Sequence, residues 1–197
     1  MTTTLVILGV LALIAMWAIG IYNNLVSLRN QVKNAWSQID VQLQRRYDLI
    51  PNLIETVKGY MTYEKSTLEA VIQARNQASA LREKIQQSSG VPNEQDLQKL
   101  MGAEATLKSG LGSIFALAEN YPQLKASDTM QNLQEELSST ENKVAFARQA
   151  YNDQVLAYNN AQQTFPAVLV AGALGHQPAQ MYEVESPEAR KAVKVSF

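Results

Sequence analysis

Few side chains in this sequence could do enzyme chemistry. Among its 197 residues there is one histidine, His176, and no cysteine. Thiol catalysis, disulfides and sulfur-ligated metal sites are therefore excluded. A di-iron helical bundle is excluded too, because it needs a Glu-x-x-His pair on each of two helices. A site for Mg²⁺ or Ca²⁺ built from carboxylates alone is the metal chemistry that the composition leaves open.

Motifs for phosphate binding and acyl transfer are also missing from the sequence. The stretch Gly110-Leu111-Gly112-Ser113 lies within a helical pattern and lacks the lysine of a P-loop. No G-x-S-x-G motif occurs, and one histidine outside the helical segments cannot complete a Ser-His-Asp triad. A net charge of −1 provides no basic face for nucleic acid. We therefore expect no catalytic residue, no cofactor and no nucleic-acid partner.

Three charged residues occupy positions where the helical periodicity would place apolar side chains. They are Glu64, Arg75 and Glu104. Burial of an unpaired charge is costly, so the pattern predicts a buried polar network in which Arg75 pairs with Glu64 or Glu104 and fixes the register of the helices. The alternative is a polar site that binds a helix of a partner protein. The sequence alone does not separate these two interpretations.

The elements that carry these residues are predicted to be helices. Proline and glycine divide the polar part of the chain at Pro51, Gly90, Pro122 and Pro166. The four segments so defined have apolar residues at alternating steps of three and four, the spacing of amphipathic helices, and none shows strand alternation. The last segment carries a heptad stripe of the coiled-coil type. These patterns predict an all-α fold with an antiparallel, up-and-down four-helix bundle over residues 24–165.

The start of the second bundle helix is less clear from the sequence. Pro51 disfavours helix at the preceding residue and can itself begin a helix, which predicts a boundary there. The segment that would follow is longer than its neighbours. Gly59 is an alternative break, and Thr62 could then cap a new start.

Residues 1–23 are predicted to form a transmembrane anchor. Leu5 to Tyr22 is a run of eighteen residues without a charged side chain, which is long enough to cross a bilayer as a helix. No basic residue precedes the run and no small-residue cleavage motif follows it, so a cleaved signal peptide is not expected. Arg29 and Lys33 follow closely, which favours an outside N-terminus and a cytoplasmic bundle. A periplasmic bundle is the alternative.

Residues 166–197 are predicted to form an apolar membrane-proximal segment followed by an extended tail from about Gln177 onward. In an up-and-down bundle the end of the fourth helix lies beside the start of the first, which leaves the bilayer. Apolar residues at that end are therefore expected to contact the membrane or a neighbouring subunit. These residues are Phe165, Val168, Leu169, Val170 and Leu174. The alternative is that they form a cap over the end of the bundle.

Several motifs spread along the chain resemble those of the LemA family of bacterial membrane proteins. They are Ala35-Trp36-Ser37-Gln38-Ile39-Asp40, Arg45-Arg46-Tyr47-Asp48-Leu49-Ile50-Pro51-Asn52-Leu53, Tyr121-Pro122-Gln123-Leu124-Lys125-Ala126, the pairs Tyr151-Asn152 and Tyr158-Asn159, and Lys194-Val195-Ser196-Phe197. The resemblance implies a single N-terminal span in the bacterial inner membrane, a four-helix bundle and no established catalytic activity. The chain departs from the family at Tyr63, where many members have histidine, and at Met130, where phenylalanine is usual.

The function expected from these features is that of a non-enzymatic, membrane-anchored helical scaffold. Its expected partners are the lipid bilayer, further copies of itself in a homo-oligomer, and other membrane proteins. One alternative is an accessory or adaptor subunit of a membrane protease or sensor. Another is a membrane-remodelling protein that uses the anchor and the apolar segment to impose curvature. The mass of the detergent-extracted protein would separate the adaptor from the other two, because a large homo-oligomer favours the scaffold or the remodelling protein and a stoichiometric foreign subunit favours the adaptor.

Overall fold

The structure is a computed structural model that describes residues 1–61, 63–88 and 90–182. Its described part is helical and contains no strand, which confirms the all-α prediction. The helices are α1 (Thr2–Lys58), α2 (Lys65–Ser88), α3 (Glu94–Ala118), α4 (Pro122–Lys125), α5 (Asp128–Gln163) and α6 (Val168–Ala171). Four of them are long, whereas α4 and α6 are single turns.

The first helix, α1, is one continuous element of 57 residues, about 85 Å long at the usual rise per residue. No residue before Leu25 is buried, and the apolar run lies entirely outside the packed core. By length and composition this part of α1 can cross a membrane. The apolar N-terminal helix of the prediction is therefore present, and it continues without interruption into the first helix of the bundle.

The boundary predicted at Pro51 is wrong, because α1 continues through this proline and ends at Lys58, just before Gly59. The alternative break at Gly59 is thus confirmed, while Thr62 lies outside the described residues. Proline at position 51 removes the hydrogen bond that the carbonyl of Tyr47 would otherwise accept. The side chain of Arg75 on α2 donates to that carbonyl instead, at 3.2 Å. A contact between two helices therefore replaces the bond that the sequence removes.

The four long helices share a single hydrophobic core. The part of α1 from Leu25 onward packs mainly along α5, and α2 packs along α3. Short connections join consecutive helices. The heptad stripe of α5 supplies much of the core. Its buried members include Met130, Leu133, Leu137, Val144, Tyr151 and Tyr158. Because the last long helix lies against the first, both ends of the bundled chain meet at one end of the molecule.

The contact between α2 and α3 depends on a glycine. A Cβ atom added at Gly110 would lie 2.8 Å from Cγ2 of Val71, whereas one added at Gly112 would meet nothing within 4 Å. Gly110 therefore allows the two helices to approach closely. Gly112 has no such role.

Candidate functional site at the proximal end of the bundle

The proximal end is the end of the bundle from which the apolar part of α1 extends. There α6 packs against both α1 and α5, and the rings of Tyr22 and His176 meet edge to face with centroids 6.1 Å apart. The residues predicted to contact membrane or subunit lie at this end. Phe165, Val168, Leu169 and Leu174 are exposed, and Val170 is half-buried. The segment is therefore next to the Tyr22 end of the apolar run, and its contact with lipid or another subunit stays a prediction.

The single histidine joins three parts of the chain at this end. His176 is buried, and its Nδ1 lies 3.1 Å from the hydroxyl of Tyr158 on α5. Burial, followed by the nearby positive charge of Arg29, lowers the pKa of His176 below its usual value. The imidazole is thus held neutral near pH 7. It acts as a packing group between α1, α5 and the chain that follows it.

The chain that follows forms an extended strap, His176–Tyr182, along α5. The side-chain amide of Asn159 donates to the carbonyl of Ala179 at 2.9 Å and accepts from the amide of the same residue at 2.9 Å. Asn152 makes the same pair of bonds with Tyr182, at 3.1 and 2.7 Å. The first part of the predicted extended tail is therefore docked on the bundle. Residues 183–197 lie outside the described part of the structure.

The strap ends in an aromatic pocket. The Tyr182 ring is buried, with the guanidinium of Arg148 4.3 Å from its centroid and the ring of Trp36 stacked at 6.3 Å. The hydroxyl of Tyr151 donates to the carbonyl of Gln180 at 2.9 Å. Burial raises the pKa of Tyr182 to about 12, and the positive charge of Arg148 opposes that rise.

This docking was not predicted, although the sequence contains a signal for it. The pairs Tyr151-Asn152 and Tyr158-Asn159 repeat a Tyr-Asn dipeptide at a spacing of seven residues. At this spacing two asparagines lie on the same face of a helix, two turns apart. The tyrosines of the repeat also contribute, because Tyr151 binds the strap backbone and Tyr158 binds His176.

The structure does not bring together the three charged residues predicted to form one network. Glu104 is buried, but its partner is Arg46 on α1, at 3.1 Å, and it also accepts a hydrogen bond from the hydroxyl of Tyr47. Arg75 is half-buried and instead binds the carbonyl of Tyr47. Glu64 is half-buried just before α2 begins. Periodicity places each residue on an inward face, but it does not tell which residue of another helix lies at the same level.

The cluster around Glu104 connects three helices near the middle of the bundle. Arg148 on α5 lies 4.0 Å from Glu104. Its guanidinium also contacts the face of the Tyr182 ring. Burial, and then the negative charge of Glu104, raise the pKa of Tyr47 far above its usual range. A second buried ion pair joins Asp40 on α1 to Arg82 on α2 at 2.7 Å. These ion pairs fix the relative positions of the helices. Arg148 connects the cluster around Glu104 to the strap, because its guanidinium contacts both Glu104 and Tyr182.

Across the described residues, no group of three or more histidine, cysteine or acidic side chains is arranged to hold a metal ion. Two of the buried carboxylates, Asp40 and Glu104, are each neutralised by an arginine. The arrangement can therefore bind a peptide segment and hold helices in register, and the described side chains form no recognisable set of catalytic groups.

The fold and the proximal end define a class of protein: an elongated helical bundle whose first helix extends as an apolar segment able to cross a membrane. Residues 35–197 match the family model described as LemA family. The match covers most of the chain, so the protein belongs to the LemA family, and the resemblance seen in its motifs is confirmed.

Relatives from distinct bacteria are similar over most of this chain. Magnetosome protein MamQ 2 of Paramagnetospirillum magneticum is 24% identical over 194 residues, which cover 91% of this chain and 71% of that protein. Magnetosome protein MamQ of Magnetospirillum gryphiswaldense is 22% identical over 180 residues, or 82% and 64% of the two chains. Protein LemA of Metamycoplasma hominis is 26% identical over 177 residues, or 90% and 73%. The likeness therefore extends over most of this chain and over 64–73% of each of these relatives.

Proposed function

We propose that this protein is a membrane-anchored helical scaffold that self-associates and has no catalytic activity of its own. The observation that carries the proposal is the continuity of α1, which runs from the exposed apolar part into the core without a break. The apolar run of eighteen residues is about 27 Å long as a helix, close to the thickness of the hydrocarbon core. A bundle joined to its span in this way is held at a fixed orientation beside the bilayer.

Exposed apolar side chains support self-association. At the proximal end Phe165 is 79% exposed and Leu169 is 68% exposed. On the outer face of α5, Phe146 is 72% exposed. Large apolar side chains that lie together on a surface typically mark a contact with another protein or with a membrane. The proximal residues are within reach of both, because they lie beside the Tyr22 end of the apolar run.

Arg29 and Lys33 support a cytoplasmic position for the bundle. Both lie on the stretch of α1 that follows the apolar run, about two and three helical turns beyond Tyr22. Basic residues in this position are typical of the cytoplasmic side of a span. The proposal therefore places the apolar run in the bacterial inner membrane, with the N-terminus outside.

The mass of the full-length protein in mild detergent tests the scaffold proposal. We expect a homo-oligomer that persists in several gentle detergents, with no foreign protein at stoichiometric amounts. A strictly monomeric particle in all of them would contradict self-association. Co-purification of a foreign subunit in a fixed ratio would instead support an adaptor subunit of a membrane enzyme.

A further inference from the structure

One face of α1 changes from apolar to basic just beyond the apolar run. Tyr22, Val26, Arg29 and Lys33 follow one another at steps of four, three and four residues, so their side chains lie along a single stripe of the helix. Tyr22 ends the apolar run, and both basic side chains are exposed. The stripe therefore presents an aromatic and an aliphatic side chain first, and two positive charges beyond them.

This stripe forms one wall of a cleft at the proximal end of the bundle, called here the proximal cleft. Its other walls are the strap and the connection between α2 and α3, at Val91 and Pro92, and its volume is about 700 Å³. Lys33 reaches across to that connection, because a Cβ atom added at Gly90 would lie 3.2 Å from Cε of Lys33. A volume of this size is typical of sites that bind small ligands.

The proximal cleft is positively charged. Among the described residues that line it, Arg29 and Lys33 are basic and Glu94 is acidic, which gives two positive charges and one negative charge. Within the part of the chain that the structure describes, neither basic side chain forms an ion pair. Glu94 instead accepts a hydrogen bond from Gln98 of its own helix, at 3.4 Å. Two such cations beside one cleft suit a phosphate group, which arginine in particular binds through paired hydrogen bonds.

The position of the proximal cleft favours a lipid as the source of that phosphate. Arg29 lies seven residues beyond Tyr22, about 10 Å further along the helix axis. Side chains on a helix lean towards its N-terminus, so the guanidinium of Arg29 reaches back towards the apolar run. Its charge indeed acts there, because burial and then Arg29 lower the pKa of His176, whose ring contacts that of Tyr22. With Tyr22 at the edge of the hydrocarbon core, this guanidinium is at the level of the headgroups, a layer about 5–7 Å thick.

We infer that the proximal cleft binds the headgroup of an anionic phospholipid, with the phosphate held by Arg29 and Lys33 and the start of the acyl chains against Tyr22 and Val26. The inference rests on the proposed position of the apolar run in the bilayer, and it does not need self-association. A free phosphate ion carries the same charged group but gains nothing from the apolar half of the stripe. The occupant is therefore a lipid with a net negative charge, such as phosphatidylglycerol, rather than the zwitterionic phosphatidylcholine.

Native mass spectrometry of the full-length protein in mild detergent tests this inference, because it counts bound lipids and subunits in the same spectra. Phosphatidylglycerol and phosphatidylcholine with identical acyl chains are added separately. We expect the protein to bind phosphatidylglycerol about fivefold more tightly, or better. Because the affinity is measured in detergent, it does not depend on the side of the membrane on which the bundle lies. Equal affinity for the two lipids would overturn the inference.

Three variants assign the binding to the proximal cleft. Arg29→Gln together with Lys33→Gln should weaken phosphatidylglycerol binding about tenfold and leave phosphatidylcholine binding unchanged. The matched control is Lys99→Gln together with Lys143→Gln, which removes the same charge from exposed positions outside the cleft and should have no effect. Asn30→Asp keeps both basic residues but adds a carboxylate to the lining, and it should also weaken binding. Unchanged affinity in the first variant, with its helicity intact by circular dichroism, would overturn the inference.

Inorganic phosphate distinguishes the two sources of the anion. Thermal unfolding of the full-length protein is followed with phosphatidylglycerol and, separately, with millimolar inorganic phosphate at constant ionic strength. We expect the lipid to raise the melting temperature in a way that requires Arg29 and Lys33, and the phosphate ion to have no such effect. An equal rise with phosphate alone would show a site for a free anion and would overturn the assignment to a lipid.

The same spectra separate this inference from the proposed self-association. Charge-selective lipid binding by a monomer would support the site in the proximal cleft and contradict the scaffold. A homo-oligomer that binds both lipids equally would contradict the site and leave the scaffold intact. Recovery of the protein free of membranes would contradict the anchor itself, and both proposals would then fail.

Discussion

Arg75 shows how one side chain can compensate for a proline in a helix. Its Nε donates to the Tyr47 carbonyl, the acceptor that loses its helical partner because Pro51 has no N–H. Arg75→Ala should leave this carbonyl without a donor and lower the free energy of unfolding by about 1–3 kcal/mol. Thermal unfolding in detergent, followed by circular dichroism, measures this loss of stability. Lys99→Ala, a substitution at an exposed position, is the control.

A double-mutant cycle identifies the cause of that loss. Pro51→Ala restores a backbone N–H at position 51, so the Tyr47 carbonyl no longer depends on Arg75. We expect Arg75→Ala to cost clearly less in the Pro51→Ala background than in the parent chain. Equal costs in both backgrounds would mean that Arg75 stabilises the bundle by some other contact.

Glu104 is the residue on which the central cluster depends. Glu104→Ala would leave the buried guanidinium of Arg46 and the hydroxyl of Tyr47 without their acceptor. Removing one partner of a buried ion pair typically costs about 3–5 kcal/mol. The matched control is Glu141→Ala, which breaks the solvent-exposed pair with Lys108 and should cost about 1 kcal/mol or less. In denaturant unfolding, Glu104→Ala should therefore lower the free energy of unfolding several times more than Glu141→Ala does. Similar unfolding midpoints for the two variants would contradict the role given to Glu104.

His176 makes docking of the strap dependent on pH. Burial and Arg29 on α1 lower its pKa in the docked state, while the hydroxyl of Tyr158 on α5 and the ring of Tyr22 complete its surroundings. In the undocked state the pKa returns to about 6.5. The undocked state therefore binds more protons below that pH, and docking loses stability as the pH falls from about 6.5 to the docked pKa. Docking should not change with pH between 7 and 8.

Tryptophan fluorescence can follow this equilibrium. Trp36 lies against Tyr182 of the docked strap, and Trp17→Phe removes the other tryptophan of the chain. We expect the Trp36 emission to change between pH 7 and pH 5 in this variant. Adding His176→Gln, which cannot be protonated, should abolish the change. A signal that titrates equally with and without the histidine would assign the pH dependence to another group.

At the scale of elements, the segment around α6 is predicted to be a contact surface rather than core. Leu169 and Leu174 are both exposed at the proximal end. Leu169→Asp together with Leu174→Asp should weaken membrane or oligomer association and leave the helicity unchanged, because no core contact is lost. Mass in detergent and far-ultraviolet circular dichroism measure the two properties. The control is Gln163→Asp together with Gln177→Asp, at two exposed polar positions. Unfolding of the double leucine variant would show that the segment belongs to the core.

The approach of α2 to α3 can be tested at two glycines of the same helix. Gly110→Ala adds a methyl group 2.8 Å from Val71, and overpacking of this kind typically costs about 1–3 kcal/mol. Gly112→Ala meets nothing within 4 Å and should instead stabilise the helix by up to about 1 kcal/mol. Opposite shifts in melting temperature are expected. A gain in stability for both would mean that the two helices do not need the glycine to approach.

At the scale of the whole molecule, the basic residues that follow the apolar run predict the side of the membrane on which the bundle lies. The prediction from Arg29 and Lys33 is a cytoplasmic bundle. Gln95→Cys places a single thiol at an exposed position near the start of α3. In intact cells this thiol should resist a membrane-impermeant maleimide and react after lysis. Labelling before lysis would place the bundle outside the cytoplasm.

The sequence by itself determined the helices and the faces that they bury. The heptad stripe of α5 and the apolar run that ends at Tyr22 are both readable because each depends on residues close together in the chain. The apolar spacing of a helix repeats every few residues, so its inward face follows from local pattern alone. The resemblance of the motifs to the LemA family added the expectation of a four-helix bundle with one N-terminal span.

Only the tertiary structure decided which residues meet. The partner of Glu104 is Arg46 rather than Arg75, because ion pairing depends on the level at which separate helices pack, which periodicity does not contain. The continuation of α1 through Pro51 depends on a donor from α2, and local rules for proline omit such a donor. The docking of the strap depends on two asparagines that lie twenty and thirty residues from the residues that they bind. Each of these contacts joins residues distant in sequence, and their geometry exists only once the bundle has formed.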